Sequence, residues 1–429
     1  MKSEPINKRQ FLKRAGGLAA LAALGDRLSI RAVAQEAGEQ ARTAQSAPTT
    51  KNSIARITAT SVSVPCEYQA GSYKRKIRGG GVVAEVETAD GIVGHGFTSI
   101  TNDPIVVSAI RDVIAPYLKG KDAMAREAIS EQLYWRLTPR GQTGHAVHAI
   151  SCIDLALWDI AGKRYGEPVY RLLGDARKEV ESYTTCGMNF LTREEIAEVG
   201  RALYMSGQHR LKMVVAAGAS SFDHGGKSYQ AIFEEDTARV RTMREAVGPD
   251  AQVDIDANQS LDVYQARHLA RQIAPYDIGF FEEPLRANDI RQLADFRREA
   301  PMPIAAGQNE GALARWRDML VNNAVDLLQF NVCMAGGFTA GLKIAGMAQA
   351  FGVPIANAGA YSNFNMHLHA GVANGGLCEW HLNAVGMCRV LYTGLPELTN
   401  GDRIVLPDKP GLGFELNRDA LKDFAVKTG

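Results

Sequence analysis

Short apolar runs alternate with amphipathic segments through the second half of the chain, from Glu181 onward. Runs of this length are typical of parallel strands that are buried on both faces. Eight runs fit the pattern: Ser182–Cys186, Arg210–Val215, Val253–Asp256, Gly279–Glu282, Ile304–Gly307, Leu327–Asn331, Ile355–Asn357 and Leu377–Glu379. Because helical segments separate these runs over about 200 residues, the pattern predicts a closed β/α barrel.

A different pattern, alternating apolar and polar residues, predicts an antiparallel sheet in the first part of the chain. Ile54–Val64 alternates as a strand does, and Gly81–Thr88 and Ile92–Gly96 flank an Asp-Gly turn, which predicts a hairpin. Three helical patterns follow, at Pro104–Leu118, Ala123–Arg136 and Ala146–Lys163.

A basic segment, Tyr73–Arg78, lies between the predicted strands and is predicted to be a glycine-flanked loop. Two interpretations of Lys74 and Arg75 stay open. They belong either to a solvent-exposed charge run or to a loop that covers an anionic substrate.

The first 34 residues have the order of an export signal. Asn7–Lys13 is basic, Ala15–Leu24 is apolar, and Ala32-Val-Ala34 has the small residues of a cleavage site. The segment resembles a twin-arginine signal in which Lys8 replaces the first arginine. It predicts a periplasmic or exported protein, or a cytoplasmic one if the signal does not function; the alternative is an amphipathic helix. Residues 35–53 are predicted to be a disordered linker, so that the folded part begins near Ile54.

Composition excludes several classes of protein. A net charge of +1 over 429 residues gives no reason to expect a nucleic-acid partner. No apolar run reaches the roughly 20 residues that a membrane-spanning helix needs. The six cysteines show no Cys-x-x-Cys spacing, which predicts buried thiols rather than a zinc or redox site.

Three of the predicted strands end in an oxygen-bearing side chain. These residues are Asp256, Glu282 and Gln308, and they are spaced 26 residues apart. Residues at the carboxyl ends of barrel strands share one rim, where two carboxylates and an amide oxygen suit a hard cation such as Mg²⁺. Alternatively, the two carboxylates only cap the helices that follow them.

Several motifs together resemble the mandelate racemase and muconate-lactonizing branch of the enolase superfamily. They are Asp154–Lys163, Pro168–Gly174, Asp256-Ala-Asn258, Glu282-Glu283-Pro284 and Gly336-Gly337. The resemblance implies a (β/α)7β modified TIM barrel, residues 179–394, under an α+β capping domain, residues 54–178. Residues 395–429 would pack back on the capping domain. One Mg²⁺, abstraction of a proton next to a carboxylate, and a homo-oligomer are also implied.

At three kinds of position the chain departs from this family. Gln308 replaces the usual acidic ligand, and Glu310 is a possible substitute. Lys212 matches the first lysine of a Lys-x-Lys strand, but Val214 stands where the usual base would be. Lys212 is therefore the remaining base, a neighbour of the substrate carboxylate, or a buried lysine without a role.

The opposite side of the predicted barrel also departs from the family. Asn331 and Asn357 occupy the positions of an Asp-His dyad, and two amides cannot exchange a proton. They either orient substrate hydroxyls or have no role beyond packing. The resemblance makes Glu379 a neutral donor to the substrate carboxylate, and His381 lies close enough in sequence to act instead.

The sequence thus predicts a Mg²⁺-dependent dehydratase that acts on a hydroxy acid or sugar acid through an enediolate. A dehydration needs a base on one face only, so it tolerates the loss of the dyad. The alternatives are an epimerase, racemase or cycloisomerase of the same superfamily, and a non-catalytic relative that binds carboxylates.

Overall fold

Three antiparallel strands form the first sheet: β1 (Ile54–Ala70), β2 (Tyr73–Thr88) and β3 (Val93–Thr98). The structure is a computed structural model and describes residues 49–137, 143–219 and 224–427. The backbone N–H of Ala123 donates to Asn52 O over 3.0 Å, so the contacts of this part of the chain already include Asn52, close to the predicted start near Ile54. The predicted export signal, and the predicted linker up to residue 48, lie outside the described residues.

The prediction of a loop at residues 73–78 is wrong, because these residues form the first part of β2. Tyr73 pairs with Ala70 and Arg78 pairs with Pro65, so the β1–β2 hairpin turns at residues 71–72. The alternation that predicted a strand up to Val64 continues to the turn, with every second side chain of β1 buried at its end. The hairpin therefore extends beyond the predicted strands, from Val64 to Ala70 on β1 and from Gly81 back to Tyr73 on β2.

Helices cover one side of this sheet. They are α1 (Asp103–Ser108), a π-helix (Ala109–Ile114), α2 (Ala115–Leu118), α3 (Arg126–Leu137), α4 (His145–Tyr165) and α5 (Val169–Leu172). Helix α4 is almost entirely buried and packs against β3. A side chain at Gly96 would collide with the carbonyl of Cys152, so the absence of a Cβ there allows the helix to approach the strand closely.

The eight predicted strands form a parallel barrel, which confirms the fold class. Their bounds are β4 (Glu179–Gly187), β5 (Arg210–Val214), β6 (Gln252–Asp256), β7 (Ile278–Glu282), β8 (Ile304–Ala306), β9 (Leu327–Phe330), β10 (Ile355–Asn357) and β11 (Cys378–His381). Each strand pairs with the next, and β11 pairs in parallel with β4. The barrel closes between β10 and β11, where Asn357 N donates to Leu377 O over 2.8 Å.

A helix follows each barrel strand within the described residues. These helices are α6 (Arg193–Met205), α7 (Tyr229–Val247), α8 (Val263–Ile273), α9 (Ile290–Glu299), α10 (Leu313–Val321), α11 (Gly337–Phe351), α12 (Ser362–Gly371) and α13 (Leu382–Leu391). Helix α13 follows the eighth strand and packs against β1, where it connects the barrel with the antiparallel sheet.

The last part of the chain contacts both the barrel and the first sheet. Its elements are β12 (Tyr392–Thr393), β13 (Leu398–Thr399), β14 (Arg403–Val405), β15 (Glu415–Leu416), α14 (Arg418–Asp423) and β16 (Ala425–Val426). Strand β14 pairs with β4, and β16 pairs with β1. All six cysteines are buried and unpaired, as predicted. In the described ranges, every helix is too short or too polar to cross a bilayer.

Candidate active site

Asp256 and Glu282 lie side by side at the carboxyl ends of β6 and β7, where they are paired in the register of the sheet. Both side chains point into the barrel and contact the same group, the ammonium of Lys212. The distances from Lys212 Nζ are 3.3 Å to Asp256 Oδ2 and 2.6 Å to Glu282 Oε2. The predicted convergence of these two carboxylates is therefore present in the structure.

Lys212 is buried among three carboxylates, because Glu379 Oε1 also lies 3.0 Å from its Nζ. Burial acts to lower the pKa of Lys212, but the charges of Glu282 and Glu379 raise it well above its ordinary value. Its ammonium group donates hydrogen bonds to Asp256 and Glu282 and forms an ion pair with Glu379. Lys212 is thus held as a cation, which does not suit the role of a general base or of a donor to substrate.

Glu282 has one oxygen that no protein group satisfies. Its Oε2 accepts hydrogen bonds from Lys212 and, over 2.9 Å, from Gln329 Nε2. Its Oε1 is buried and has no hydrogen-bond partner in the described part of the chain. A buried unpaired carboxylate oxygen is costly unless a ligand or ion contacts it.

The charges around Lys212 are also out of balance. Three carboxylates, those of Asp256, Glu282 and Glu379, face one ammonium group. Burial and the charge of Asp256 raise the pKa of Glu282 well above its ordinary value, although Lys212 acts to lower it, so a further positive charge is needed to keep Glu282 ionised. A divalent cation would bring the positive charge of this cluster to three, which matches the three carboxylates. The donor set therefore fits Mg²⁺ by both charge and chemistry.

Gln308 supplies the third predicted oxygen, two residues beyond β8. Its Nε2 donates to Glu283 Oε2 over 3.0 Å, and its Oε1 accepts no hydrogen bond from any residue that the structure describes. Glu310 instead receives a hydrogen bond of 2.9 Å from Arg315. Across the described ranges, no three His, Cys, Asp or Glu side chains are arranged around a metal position. Gln308 as the third ligand, beside Asp256 and Glu282, therefore stays a prediction.

Glu379 is an acceptor in this structure and not the neutral donor that the resemblance implied. Thr185 Oγ1 donates to its Oε1, and Ala360 N donates to its Oε2 over 2.6 Å. Burial acts to raise the pKa of Glu379, but Lys212, His381 and these hydrogen bonds lower it overall. The ionised form of Glu379 is therefore favoured, because the surrounding groups are donors and cations.

His381 lies two residues beyond Glu379 on β11, so both side chains are on the inner face of the barrel. His381 is nearer the carboxyl end of the strand, at the mouth. Its Nδ1 is buried and has no partner among the described residues. Burial lowers the pKa of His381, partly opposed by the charge of Glu379. The neutral ring thus keeps a nitrogen able to accept a proton.

Asn331 and Asn357 use their amides to hold the loop that follows β10. Asn331 Nδ2 donates to Ala358 O over 2.7 Å and to Gly359 O over 3.0 Å. Asn357 Nδ2 donates to Ala358 O over 3.0 Å, and its Oδ1 accepts from Glu379 N. Contact of either residue with substrate stays a prediction; the hydrogen bonds that are present agree with the alternative, a role in packing only.

Lys74 and Arg75 lie on the β1–β2 hairpin. Lys74 Nζ is 3.6 Å from Glu67 Oε2, and both side chains are about half exposed. Arg75 donates to Phe190 O over 3.0 Å and covers the ring of Phe190. Arg75 thus fastens the β1–β2 hairpin to the loop after β4, and a substrate role for either residue stays a prediction.

Three residues of the site were missed by sequence reasoning: Thr185, Glu283 and Gln329. Each lies beside a predicted site residue in space, but only Glu283 lies beside one in sequence. Alternation along β9 would have placed Gln329 on the same face as Asn331. Which inward-facing residues meet across the barrel depends on strand stagger, which the sequence pattern does not contain.

Two family models together match most of the chain. Residues 194–420 match the family described as Enolase C-terminal domain-like, and residues 56–174 match Mandelate racemase / muconate lactonizing enzyme, N-terminal domain. The chain belongs to the mandelate racemase and muconate lactonizing enzyme family. Its membership confirms the resemblance that the motifs carried.

Members of this family that are similar to the chain have several activities. Arabinonate dehydratase of Saccharolobus solfataricus is 30% identical over 81% of this chain and 91% of its own length. D-galactarolactone cycloisomerase of Agrobacterium fabrum is 31% identical over 80% of this chain and 91% of its own. A crystal structure of a racemase from Streptomyces coelicolor with bound magnesium has a TM-score of 0.77 at 26% identity and covers 87% of this chain and all of its own.

Proposed function

We propose that the protein is a Mg²⁺-dependent dehydratase that acts on a sugar acid or another hydroxy acid. The observation that carries the proposal is the unpaired, buried Oε1 of Glu282, which stands beside Asp256 in a cluster short of positive charge. The similarity to arabinonate dehydratase supports the substrate class.

The residues that would hold the metal are Asp256, Glu282 and Gln308. When bound there, Mg²⁺ would stabilise the negative charge that develops on the substrate carboxylate as the neighbouring proton leaves. Lys212 holds two of these ligands in place through its ammonium group. Its positive charge also reduces the repulsion between the carboxylates.

His381 is the proposed general base. Its free Nδ1 takes the proton from the carbon next to the substrate carboxylate, which leaves an enediolate. The C–O bond at the next carbon then breaks, and the departing hydroxyl takes the same proton from His381 and leaves as water. The enol that remains tautomerises to a 2-keto acid. A single group suffices for both proton transfers, which agrees with amides at positions 331 and 357.

A cycloisomerase is a second candidate, which the similarity to D-galactarolactone cycloisomerase supports. The chemistry differs only in the leaving group, because elimination of a ring oxygen instead of a hydroxyl opens the ring and releases no water. The two functions are distinguished by product mass: a dehydratase product has lost one water, and a cycloisomerase product has the mass of its substrate.

The proposal is tested by incubating purified protein with a library of acid sugars and their lactones and measuring 2-keto products. We expect product with Mg²⁺, none after removal of the metal by EDTA, and recovery when Mg²⁺ is added back. Glu282→Gln should reduce turnover at least a hundredfold, because an amide supplies less negative charge to the cation. The absence of both product and Mn²⁺ binding in the wild-type protein would contradict the proposal and favour a carboxylate-binding relative.

We also propose that the protein is exported and forms a homo-oligomer. An exported enzyme would meet sugar acids outside the cytoplasm, and the amino-terminal pattern supports this location. Fractionation of cells separates an exported protein from a cytoplasmic one, and light scattering gives the number of subunits.

A further inference from the structure

Glu283 is a buried carboxylate that four side-chain amides surround. Its Oε1 accepts from Asn288 Nδ2 over 2.8 Å and from Gln259 Nε2 over 3.1 Å. Its Oε2 accepts from Asn309 Nδ2 over 2.7 Å and from Gln308 Nε2 over 3.0 Å. We propose that Glu283 is the positioning residue that turns the oxygen of Gln308, and not its nitrogen, toward the metal site.

The argument starts from the two unlike ends of an amide. Gln308 can present either an acceptor oxygen or a donor NH₂ to the interior of the barrel, and the two orientations have nearly the same shape. Only the oxygen can bind a cation. An acid at this position would have no such ambiguity, because both of its terminal atoms are oxygens. A glutamine ligand therefore needs a neighbour that distinguishes its two ends.

Glu283 makes this distinction because both of its oxygens face amide N–H groups and accept hydrogen bonds from them. All four of its contacts are with amide nitrogens, so neither oxygen has an acceptor to which a carboxyl proton could be donated. The NH₂ of Gln308 must face Glu283, and its Oε1 then points the other way. A flipped Gln308 would bring two oxygens together in a buried space, which is unfavourable.

The backbone keeps Glu283 in place for this role. Glu283 N donates to Ala305 O over 2.9 Å, which connects it to β8, the strand that leads to Gln308. Gln259 N donates to Glu283 O over 2.8 Å, which connects it to the loop after Asp256. Glu283 thus joins the loops that carry all three proposed ligands, and its φ of 41° is a conformation that a non-glycine residue adopts rarely.

This inference rests on the proposed function, since it assigns a role toward the same metal. The test measures Mn²⁺ binding by electron paramagnetic resonance in the wild-type protein and in Glu283→Gln. The substituted amide brings its own NH₂, so the pocket no longer selects one orientation of Gln308. We expect Mn²⁺ affinity to fall about 10- to 100-fold, the range found when groups that orient metal ligands are removed.

A double variant, Glu283→Gln with Gln308→Glu, separates orientation from general loosening of the site. A carboxylate at 308 needs no orientation, and it can accept from the NH₂ introduced at 283. Affinity should return to within about threefold of wild type. Asp326→Asn is the matched control, because Asp326 accepts from Ile304 N at the opposite end of β8. It should leave Mn²⁺ affinity unchanged while lowering the melting temperature.

Each outcome decides something different. If Glu283→Gln binds Mn²⁺ as well as wild type, Glu283 does not orient Gln308. If affinity falls and the double variant does not recover it, Glu283 acts only through the structure of the site, and the proposal is wrong. If the wild-type protein itself binds no Mn²⁺, the proposed function fails and this inference fails with it.

Discussion

The proposed base is His381 and not Lys212, the residue that a comparison with the family would favour. Lys212 occupies a lysine position of the family, but three carboxylates hold its ammonium group. His381 has no counterpart among the motifs, but its Nδ1 is buried without a partner among the described residues. The capacity to accept a proton therefore depends on the free lone pair and not on the residue type that the family uses.

This assignment predicts the effect of His381→Asn. Asparagine is similar in size but cannot accept a proton, so turnover should fall about 10²- to 10⁴-fold, and exchange of the substrate α-proton with deuterated water should stop. Because burial lowers the pKa of His381, the acid limb of kcat/KM in the wild-type protein should lie below pH 6.5. Metal affinity and melting temperature serve as controls and should change little. Continued α-proton exchange in the variant would remove His381 from the mechanism.

At the same scale, the sequence predicted which strand ends come together better than it predicted the state of the side chains there. Asp256, Glu282 and Gln308 follow regularly spaced runs, and a barrel brings regularly spaced strand ends together. The ionised state of Glu379 was not predicted, because it depends on Thr185 and on the backbone of Ala360, both distant in sequence. The protonation state of Glu379 depends on the groups that contact it. Which groups meet across the barrel depends on the stagger between strands.

At the scale of elements, the β1–β2 hairpin differs most from expectation. The basic residues of Tyr73–Arg78 and the glycines after them favoured a loop, whereas the structure continues both strands to Ala70 and Tyr73. The contacts that stabilise the end of the hairpin come from the barrel. Tyr68 OH donates to Cys186 O over 2.7 Å, and the rings of Tyr68 and Phe190 meet edge to face. Local residue preferences contain no information about such a partner.

Two matched substitutions test how the hairpin is held. Tyr68→Phe removes a buried hydrogen bond and leaves Cys186 O without this donor, so it should destabilise the protein by about 1–3 kcal/mol. Tyr73→Phe removes a bond to Glu195 that is only partly buried, and it should cost roughly 1 kcal/mol or less. Urea unfolding measures both values. If both variants lost the same free energy of unfolding, burial would not make the hydrogen bond of Tyr68 more stabilising than that of Tyr73.

At the scale of the whole molecule, helix α4 joins the antiparallel sheet to the barrel. The backbone N–H of Thr339, on barrel helix α11, donates to Asp154 Oδ2 over 3.1 Å, and Trp158 Nε1 donates to Thr339 Oγ1 over 3.0 Å. On the next turn of α4, the side chain of Asp159 accepts hydrogen bonds from His95 N of β3 and from Leu412 N near the end of the chain. Two buried aspartates on one helix thus connect segments that are distant in sequence.

These two aspartates should respond to pH in opposite ways. Burial raises the pKa of Asp154 to about 7, despite its hydrogen bonds with Thr339, so folding takes up a proton between the ordinary pKa of 3.8 and about 7. The stability that this proton contributes is present at low pH and is lost as the pH rises through 7. Burial also acts to raise the pKa of Asp159, but His95 and Lys163 lower it to about 2, so Asp159 stays ionised above pH 5 in both the folded and the unfolded state.

Asp154→Asn keeps an acceptor for Thr339 N and cannot ionise. The melting temperature of this variant relative to wild type should therefore increase from pH 5 to pH 7 and stay constant above that. Asp159→Asn is a comparison on the same helix: it should be less stable than wild type throughout pH 5 to 8, because it removes a carboxylate that stays ionised there and accepts from His95 N, Leu412 N and Lys163. Calorimetric scans of the three proteins in EDTA measure these differences without a contribution from metal. A pH-independent difference for Asp154→Asn would mean that Asp154 is already ionised at pH 5, with the charge of Arg126 and the hydrogen bonds of Thr339 outweighing its burial.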